Sequence, residues 1–341
     1  MSSAYIIFER IEVQDANCIA GFTYGFPSIT HFLGFGHALS RKLDQSQQLQ
    51  LQGCAVICHQ HQIHAYQSNR YGDYVFAQSK NPPILRKHAS STPPIVEEGK
   101  MSMSVSLIME CPNFMISRQA EIAAFKQQLI SLAFQHRLAG GSIQRIQSVH
   151  VLTEKNDSEE QKKQMRQIKR VLLPGFVLME RTKLLAEYYQ QEKQSNPDAE
   201  FIDAWMDFSA MKYQAKPLLN ENEQEPNEKT KAEWIRLDKP AKGWLVPITN
   251  GYKAIGPLYP PGDVANTRDP DYPFCFVEAV HGLGEWRSLH RIQNVSEILW
   301  QYYYEPDWYL CRQGQPITDQ STESTISSLD NEIEDDFLSS L

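Results

Sequence analysis

The chain has 341 residues, of which 41% are hydrophobic and 11% aromatic, so it is long enough to bury a substantial core and too apolar for a disordered protein. It has no apolar run of membrane-spanning length and no signal-peptide pattern at its start, which predicts a cytoplasmic protein without membrane contact. Most of the net charge of −8 comes from residues 313–341, which hold seven of the 41 acidic residues and no Lys or Arg. The rest of the chain is nearly neutral, so its charge does not exclude a polyanionic partner.

Six segments in the first 152 residues have strand or amphipathic-helix patterns. The clearest is 101–109, where every second residue is apolar. In chain order they read strand, helix, strand, strand, helix, strand, at 4–13, 28–43, 53–66, 101–109, 118–138 and 142–152. This order predicts an α+β fold with a ferredoxin-like domain at 1–152. A Pro- and Ser-rich insertion at about 67–100 is expected to loop out.

The second half, 153–312, is predicted to be a mixed α+β region. The patterns favour a strand at 171–179, helices at about 181–193 and 198–214, and a last helix at about 294–304. The acidic segment 313–341 is rich in Ser and Thr, which is typical of a disordered tail. It either keeps the protein in solution or imitates nucleic acid, and the first interpretation is the simpler one.

The most informative stretch is 274–291, where a strand-like run meets Gly282 and Gly284. We interpret these glycines as a loop that lets the backbone approach a ligand. The side chains that follow offer a stacking face and cations of the kind that hold single-stranded RNA: Trp286, Arg287, His290 and Arg291. The alternatives are a tight turn for the glycines and a core position for Trp286.

Two further groups of cations are candidates for phosphate contacts. The predicted helix 28–43 places Thr30, His37 and Arg41 on one face, with glycines at 34 and 36 that suggest close approach of a phosphate backbone or, more simply, of another protein element. Residues 162–170 hold five cations, and on a helix Lys162 and Arg166 would share a face with Lys169 or Arg170. A solvated face neutralised by Glu159 and Glu160 is the alternative there.

A metal site is not predicted. The cluster with suitable side chains is Cys54, Cys58, His59, His61 and His64, and no second ligand group with tetrahedral spacing accompanies it. The six cysteines are scattered and are expected to be buried free thiols. No cofactor motif is present: the chain lacks a phosphate-loop Gly-Lys-Ser/Thr, a Rossmann glycine fingerprint and a Gly-x-Ser-x-Gly elbow.

Catalysis by histidine is harder to exclude from sequence. General acid–base chemistry needs only positioned imidazoles, and RNA cleavage could use His31, His37, His136 or His150. A histidine-dependent, metal-independent ribonuclease therefore stays open beside a binding protein and a scaffold that touches no RNA.

Three long stretches together resemble one family. They are 22–39, 243–269 without Pro260, and 274–291, and the segments 173–178 and 203–207 extend the similarity over nearly the whole chain up to about residue 312. They resemble the Csy-type subunit, of the RAMP superfamily, that binds the 5′ handle of guide RNA in the type I-F CRISPR surveillance complex, a ribonucleoprotein of the Cascade kind.

The resemblance implies a non-catalytic role in antiviral defence. Such subunits grip the 5′ handle of the guide RNA, pair with the large subunit and abut the first backbone subunit, and the assembled complex binds target DNA. Arg268 lies in a turn of the second matched stretch, so it is added to the candidate RNA contacts. A RAMP endoribonuclease that processes repeat RNA remains the alternative function.

Overall fold

The structure is a computed structural model that describes residues 3–43, 49–80, 95–154, 157–218, 226, 230–267 and 269–314. Arg268 and the acidic segment from residue 315 onward lie outside these ranges. Within them the fold is mixed α+β, with five helices: α1 (Ile29–Ser40), α2 (Gln119–Phe134), α3 (Ser158–Leu172), α4 (Thr182–Ser195) and α5 (Phe201–Ser209).

The strands are numbered in chain order. They are β1 (Ala4–Asn17), β2 (Ile19–Ala20), β3 (Thr23–Tyr24), β4 (Gln52–Ile63), β5 (Ala65–Gln67), β6 (Tyr74–Lys80), β7 (Ile95–Glu98), β8 (Lys100–Cys111), β9 (Arg137–Leu138), β10 (Gly141–Thr153), β11 (Phe176–Glu180), β12 (Tyr213–Pro217), β13 (Ala232–Arg236), β14 (Leu245–Ala254), β15 (Val277–Ser288), β16 (Trp300–Glu305) and β17 (Trp308–Gln313). Short 3₁₀ turns cover Leu289–Arg291 and Ser296–Ile298.

A ten-stranded sheet organises the protein, in the order β11-β15-β14-β17-β16-β4-β8-β1-β10-β9. Four of its neighbours, β4-β8-β1-β10, pair antiparallel. Together with α1 and α2 they are the six elements predicted for the first 152 residues, and each has the predicted type. Local patterns succeed here because the strands alternate apolar side chains and the helices carry one apolar stripe.

Helices cover both faces of this sheet. On one face Phe35 of α1 contacts Phe8 edge to face, with ring centroids 6.2 Å apart, and Gly36 lies against Met109. On the other face Ile7 and Ile108 pack in one cluster with α3. Because neighbouring residues of a strand point to opposite sides, α1 and α3 lie on opposite faces.

The cluster under α3 explains why that helix forms. Asp157 is its N-cap and accepts hydrogen bonds from the backbone N–H groups of Glu159 and Glu160, each 3.1 Å long. Met165, Ile168 and Leu172 repeat at helical spacing and are buried against the sheet. The cations between them are thereby directed outward.

Two predicted features differ from the structure. The insertion does not simply loop out, because its described part folds into a small antiparallel sheet of β5, β6 and β7. The last helix, expected at about 294–304, is wrong: a 3₁₀ turn leads into β16. Strand pairing with β17 prevails there, and Trp300 is completely buried with its Nε1 donating to the carbonyl oxygen of Leu178 at 3.0 Å.

The contacts divide the chain into two compact units. The first consists of Met1–Met179, Ile248–His281 and Arg287–Pro316. The second comprises Glu180–Pro247 and Gly282–Trp286. The second unit has its own core of Leu185, Tyr189, Ala204, Phe208, Leu245 and Leu283. The predicted division at residue 152 stays a prediction.

Candidate nucleic-acid interface

The outward side of α3 presents free cations. Lys163, Arg166 and Arg170 are exposed and follow one another at spacings of three and four residues, so they share a face. Within the described part of the chain, no hydrogen bond or ion pair engages these three side chains. Lys162 differs, because its ammonium pairs with Glu159 at 2.7 Å. Neutralisation by a neighbouring acid therefore applies to Lys162 and leaves the three others available.

The structure joins this helix to cations from a distant part of the chain. Lys169 donates from Nζ to the backbone carbonyl of His290 at 2.9 Å, which holds the turn Leu289–Arg291 against the end of α3. The turn is fixed from below as well, since Leu289 is buried and its N–H donates to Gly175 at 3.0 Å. His290 and Arg291 are exposed there. We call the combined surface of Lys163, Arg166, Lys169, Arg170 and Arg291 the basic strip.

The prediction of a glycine loop is wrong. Gly282 and Gly284 lie inside β15 and are buried. Two hydrogen bonds hold their segment: Arg181 N–H donates to the carbonyl of Leu283 at 2.7 Å, and the side-chain Nε1 of Trp205 donates to that of Gly282 at 3.1 Å. A strand directs successive N–H groups to alternate sides, so it does not gather them toward one ligand as a phosphate-binding loop does. Contact of either glycine with RNA stays a prediction.

Behind the glycines, Glu285 is nearly buried and paired. Its Oε2 accepts from Nε of Arg181 at 2.6 Å, and Gly243 lies close enough that an added Cβ would be 3.2 Å from Oε1. Trp286 is half-buried, and its N–H donates to the carbonyl of Trp244 at 2.9 Å. Arg287 is half-buried near the end of the same strand.

The predicted face of α1 forms a separate site. His37 and Arg41 are exposed, while the Thr30 hydroxyl lies 3.0 Å from that of Ser28 at the start of the helix. Because α1 covers the sheet face opposite α3, these residues do not extend the basic strip. Its two glycines have different roles. Gly36 allows close packing on Met109, whereas no described atom comes within 4 Å of a Cβ placed at Gly34.

Exposed aromatic side chains of the first unit were missed as candidates. Phe22 and Tyr24 are 85% and 72% exposed, and Tyr71 and Tyr74 in and beside the insertion are 90% and 72% exposed. Phe22 is oriented by His281, whose ring is stacked on it with centroids 5.0 Å apart. Large exposed aromatics mark binding surfaces and are able to stack on unpaired bases. The signal was present in the glycine-flanked aromatics of 21–26.

No group of three or more metal-ligating side chains is found among the described residues. His59 is occupied on both nitrogens: Nδ1 lies 2.7 Å from the carbonyl oxygen of Pro174 and Nε2 2.7 Å from the hydroxyl of Ser106. Burial lowers the pKa of His59, and burial raises the pKa of the Cys58 thiol to about 12. All six cysteines are free and five are buried, Cys275 being half-buried, which confirms the expected thiols.

The four histidines considered for RNA cleavage are dispersed. His31 and His37 belong to α1, and His136 follows α2, with its Nδ1 2.7 Å from the carbonyl of Leu132. His150 lies on β10, and its Nε2 is 2.7 Å from a carboxylate oxygen of Glu9. No hydrogen bond or ring contact in the described structure joins two of these imidazoles. Of these four histidines, His150 alone is paired with a carboxylate among the described residues, and this pair resembles an acid–base unit.

None of the described helices is both long and apolar enough to cross a membrane. Comparison with known proteins relates the chain to a CRISPR-associated family. The family profile described as CRISPR-associated protein (Cas_Csy2) matches residues 6–311. CRISPR-associated protein Csy2 of Pseudomonas aeruginosa (strain UCBPP-PA14) is 36% identical over 329 residues, covering 92% of this chain and 95% of the relative. The resemblance seen in the sequence is thus confirmed at the level of the family, and the chain belongs to the Csy2 family of CRISPR-associated proteins.

Proposed function

We propose that this protein is a non-catalytic subunit of a type I-F CRISPR surveillance complex, where it binds the 5′ handle of guide RNA and pairs with the large subunit. In this role it also meets the backbone subunits, and the assembled complex binds target DNA for antiviral defence. Membership of the Csy2 family supports a role in a CRISPR system. The RNA-binding part of the proposal depends on the surface chemistry of the chain.

The proposal includes a ferredoxin-like core of the RAMP type. What supports it is the combination of element order and sheet order. The chain runs β1-α1-β4-β8-α2-β10, and the four strands lie in the sheet in the order β4-β8-β1-β10. Thus β8 lies between β1 and β4, the strands joined by α1, and β1 lies between β8 and β10, the strands joined by α2. This is the arrangement of a split βαβ motif repeated once.

The observation that carries RNA binding is the contact of Lys169 with the carbonyl of His290. It combines cations from two parts of the sequence into the basic strip, where Lys163, Arg166 and Arg170 have no acidic partner among the described residues. Rows of Lys and Arg gain affinity for a polyanion by releasing its counterions. The exposed rings of Phe22 and Tyr71 add faces on which unstacked bases can lie.

The decisive test is to mix the purified protein with a fluorescently labelled repeat RNA from its own locus. Mobility shift and anisotropy measure binding, and gel analysis with and without EDTA measures cleavage. We expect a salt-dependent complex and intact RNA. The variant Arg166→Gln/Arg170→Gln should bind more weakly, with a salt slope flatter by about 0.7 per lost phosphate contact. Arg118→Gln/Lys183→Gln removes two exposed cations elsewhere and should bind as the parent does.

A metal-independent ribonuclease is the second candidate, and the pairing of His150 with Glu9 at 2.7 Å is the observation that favours it. A carboxylate beside an imidazole orients it for proton transfer. A discrete cleavage product that persists in EDTA and disappears in His150→Ala would establish that function instead. Protein that neither shifts nor cleaves the RNA would indicate a scaffold.

A further inference from the structure

The acidic segment 315–341 lies beyond the part of the chain that the family profile matches, which ends at residue 311. It carries seven acidic residues and no Lys or Arg, and five of the acids are concentrated in residues 330–336. Such a density of carboxylates resembles the charge of a nucleic-acid backbone. Its natural counterpart in the same protein is a surface with several unpaired cations.

We infer that residues 330–336 dock on the basic strip of α3 and compete there with RNA. Docking of the acidic residues is independent of RNA binding, whereas their competition with RNA rests on the function proposed above. The docked segment would act as an intramolecular polyanion, released when a longer nucleic acid with more phosphate contacts displaces it.

The charges of α3 and of residues 330–336 are complementary. From Lys162 to Leu172 the helix contains five cations and no acid. Lys163, Arg166 and Arg170 point outward without partners among the described residues. Unpaired surface cations attract a nearby polyanion electrostatically, and salt screens this attraction.

The described chain ends close to the residues that pack against α3. β17 finishes at Gln313, whose side-chain amide donates to the carbonyl oxygens of Ile298 at 2.9 Å and Leu178 at 3.0 Å. Ile298 belongs to the cluster on which Met165 and Ile168 of α3 pack. The last residue of β17 is therefore hydrogen-bonded to the backbone of a residue in the cluster against which α3 packs.

The length of the intervening chain is compatible with this contact. Fifteen residues, 315–329, separate Gly314 from the acidic group at 330–336. A random-coil chain of 15 residues spans roughly 19–23 Å on average, and a helix of 15 residues such as α3 is about 22 Å long. A tethered ligand that can reach its site has an effective concentration in the millimolar range.

The test uses the full chain and begins without RNA. A zero-length carbodiimide couples carboxylates to lysines in contact, and mass spectrometry locates the products. We expect residues 330–336 to couple to Lys162, Lys163 or Lys169 at 50 mM salt, and far less at 500 mM. Arg166→Gln/Arg170→Gln should reduce this coupling several-fold, while Arg118→Gln/Lys183→Gln leaves it unchanged. Coupling to lysines outside α3, or equal yields in both variants, would overturn the inference.

A second arm tests the competition. In the full chain, Asp330, Glu332, Glu334, Asp335 and Asp336 are changed to Asn or Gln, and binding of the labelled repeat RNA is measured. We expect about tenfold tighter binding at 50 mM salt, from a weak docked contact at millimolar effective concentration, and no difference at 500 mM. Unchanged affinity at low salt would refute competition. If neither protein binds RNA, the proposed function fails, and the coupling arm alone decides whether the segment docks.

Discussion

Substitutions at Gly34 test whether the exposed face of α1 is open to solvent and whether it binds RNA. It lies inside the helix, where glycine is about 0.8–1.0 kcal/mol less favourable than alanine. No described atom lies within 4 Å of the Cβ that alanine would add. Gly34→Ala should therefore gain helix propensity without a steric cost, and we expect the isolated protein to be stabilised by about 0.5–1 kcal/mol.

The assay is urea unfolding followed by circular dichroism, with a rise of about 1–3 °C in melting temperature as a second readout. Gly36→Ala is the matched control, because the same Cβ would lie 3.2 Å from Sδ of Met109. The methionine must move, so the gain in that variant should be smaller or reversed. A Gly34→Ala protein less stable than the parent would refute the reasoning, since it would mean that the space beside Gly34 is filled.

The larger variant Gly34→Leu separates stability from function. A leucine is tolerated by a solvent-facing helix position but obstructs close approach of a phosphate backbone or a partner subunit. If the face of Thr30, His37 and Arg41 binds RNA, Gly34→Leu should weaken repeat-RNA binding while the urea midpoint stays at or above that of the parent. Unaltered binding would limit the RNA contacts to other surfaces.

Three further changes test the fold. Gly251→Ala should cost about 1–3 kcal/mol in urea unfolding, because its Cβ would lie 2.4 Å from the backbone oxygen of Tyr309, and an unaffected midpoint would contradict the register of β14 and β17. Asp157→Ala should cost about 1 kcal/mol through loss of the α3 cap, with Asp157→Asn nearly neutral; equal losses would argue against capping. Burial lowers the pKa of His59, so the unfolded chain binds more protons than the native state at mildly acidic pH. The free energy of unfolding should therefore fall as pH drops from 7.5 to 5.5, and it should fall less steeply in His59→Gln. Identical slopes in the two proteins would show that His59 does not contribute to this pH dependence.

Elements with a local pattern could be predicted from the amino-acid sequence alone. The alternation of apolar residues in 101–109 and the apolar stripe of 118–138 are enough to specify β8 and α2, since each element directs one face to the core. The same holds for the buried thiols and for the family, whose matched stretches are long. The cations of α3 were also recognisable, because the apolar residues between them have helical spacing.

Other features depend on contacts between residues far apart in the chain, so they could be recognised only in the folded protein. Gly282 and Gly284 read as a loop, yet pairing with other segments makes them part of a strand, and the aromatic run from Trp300 reads as a helix until β17 supplies its hydrogen bonds. Neither outcome can be predicted from a short stretch of sequence, because strand pairing satisfies backbone N–H and C=O groups through partners that are distant in sequence. The contact of Lys169 with His290 is of the same kind: it joins residues 121 positions apart, and it makes one surface of two basic groups.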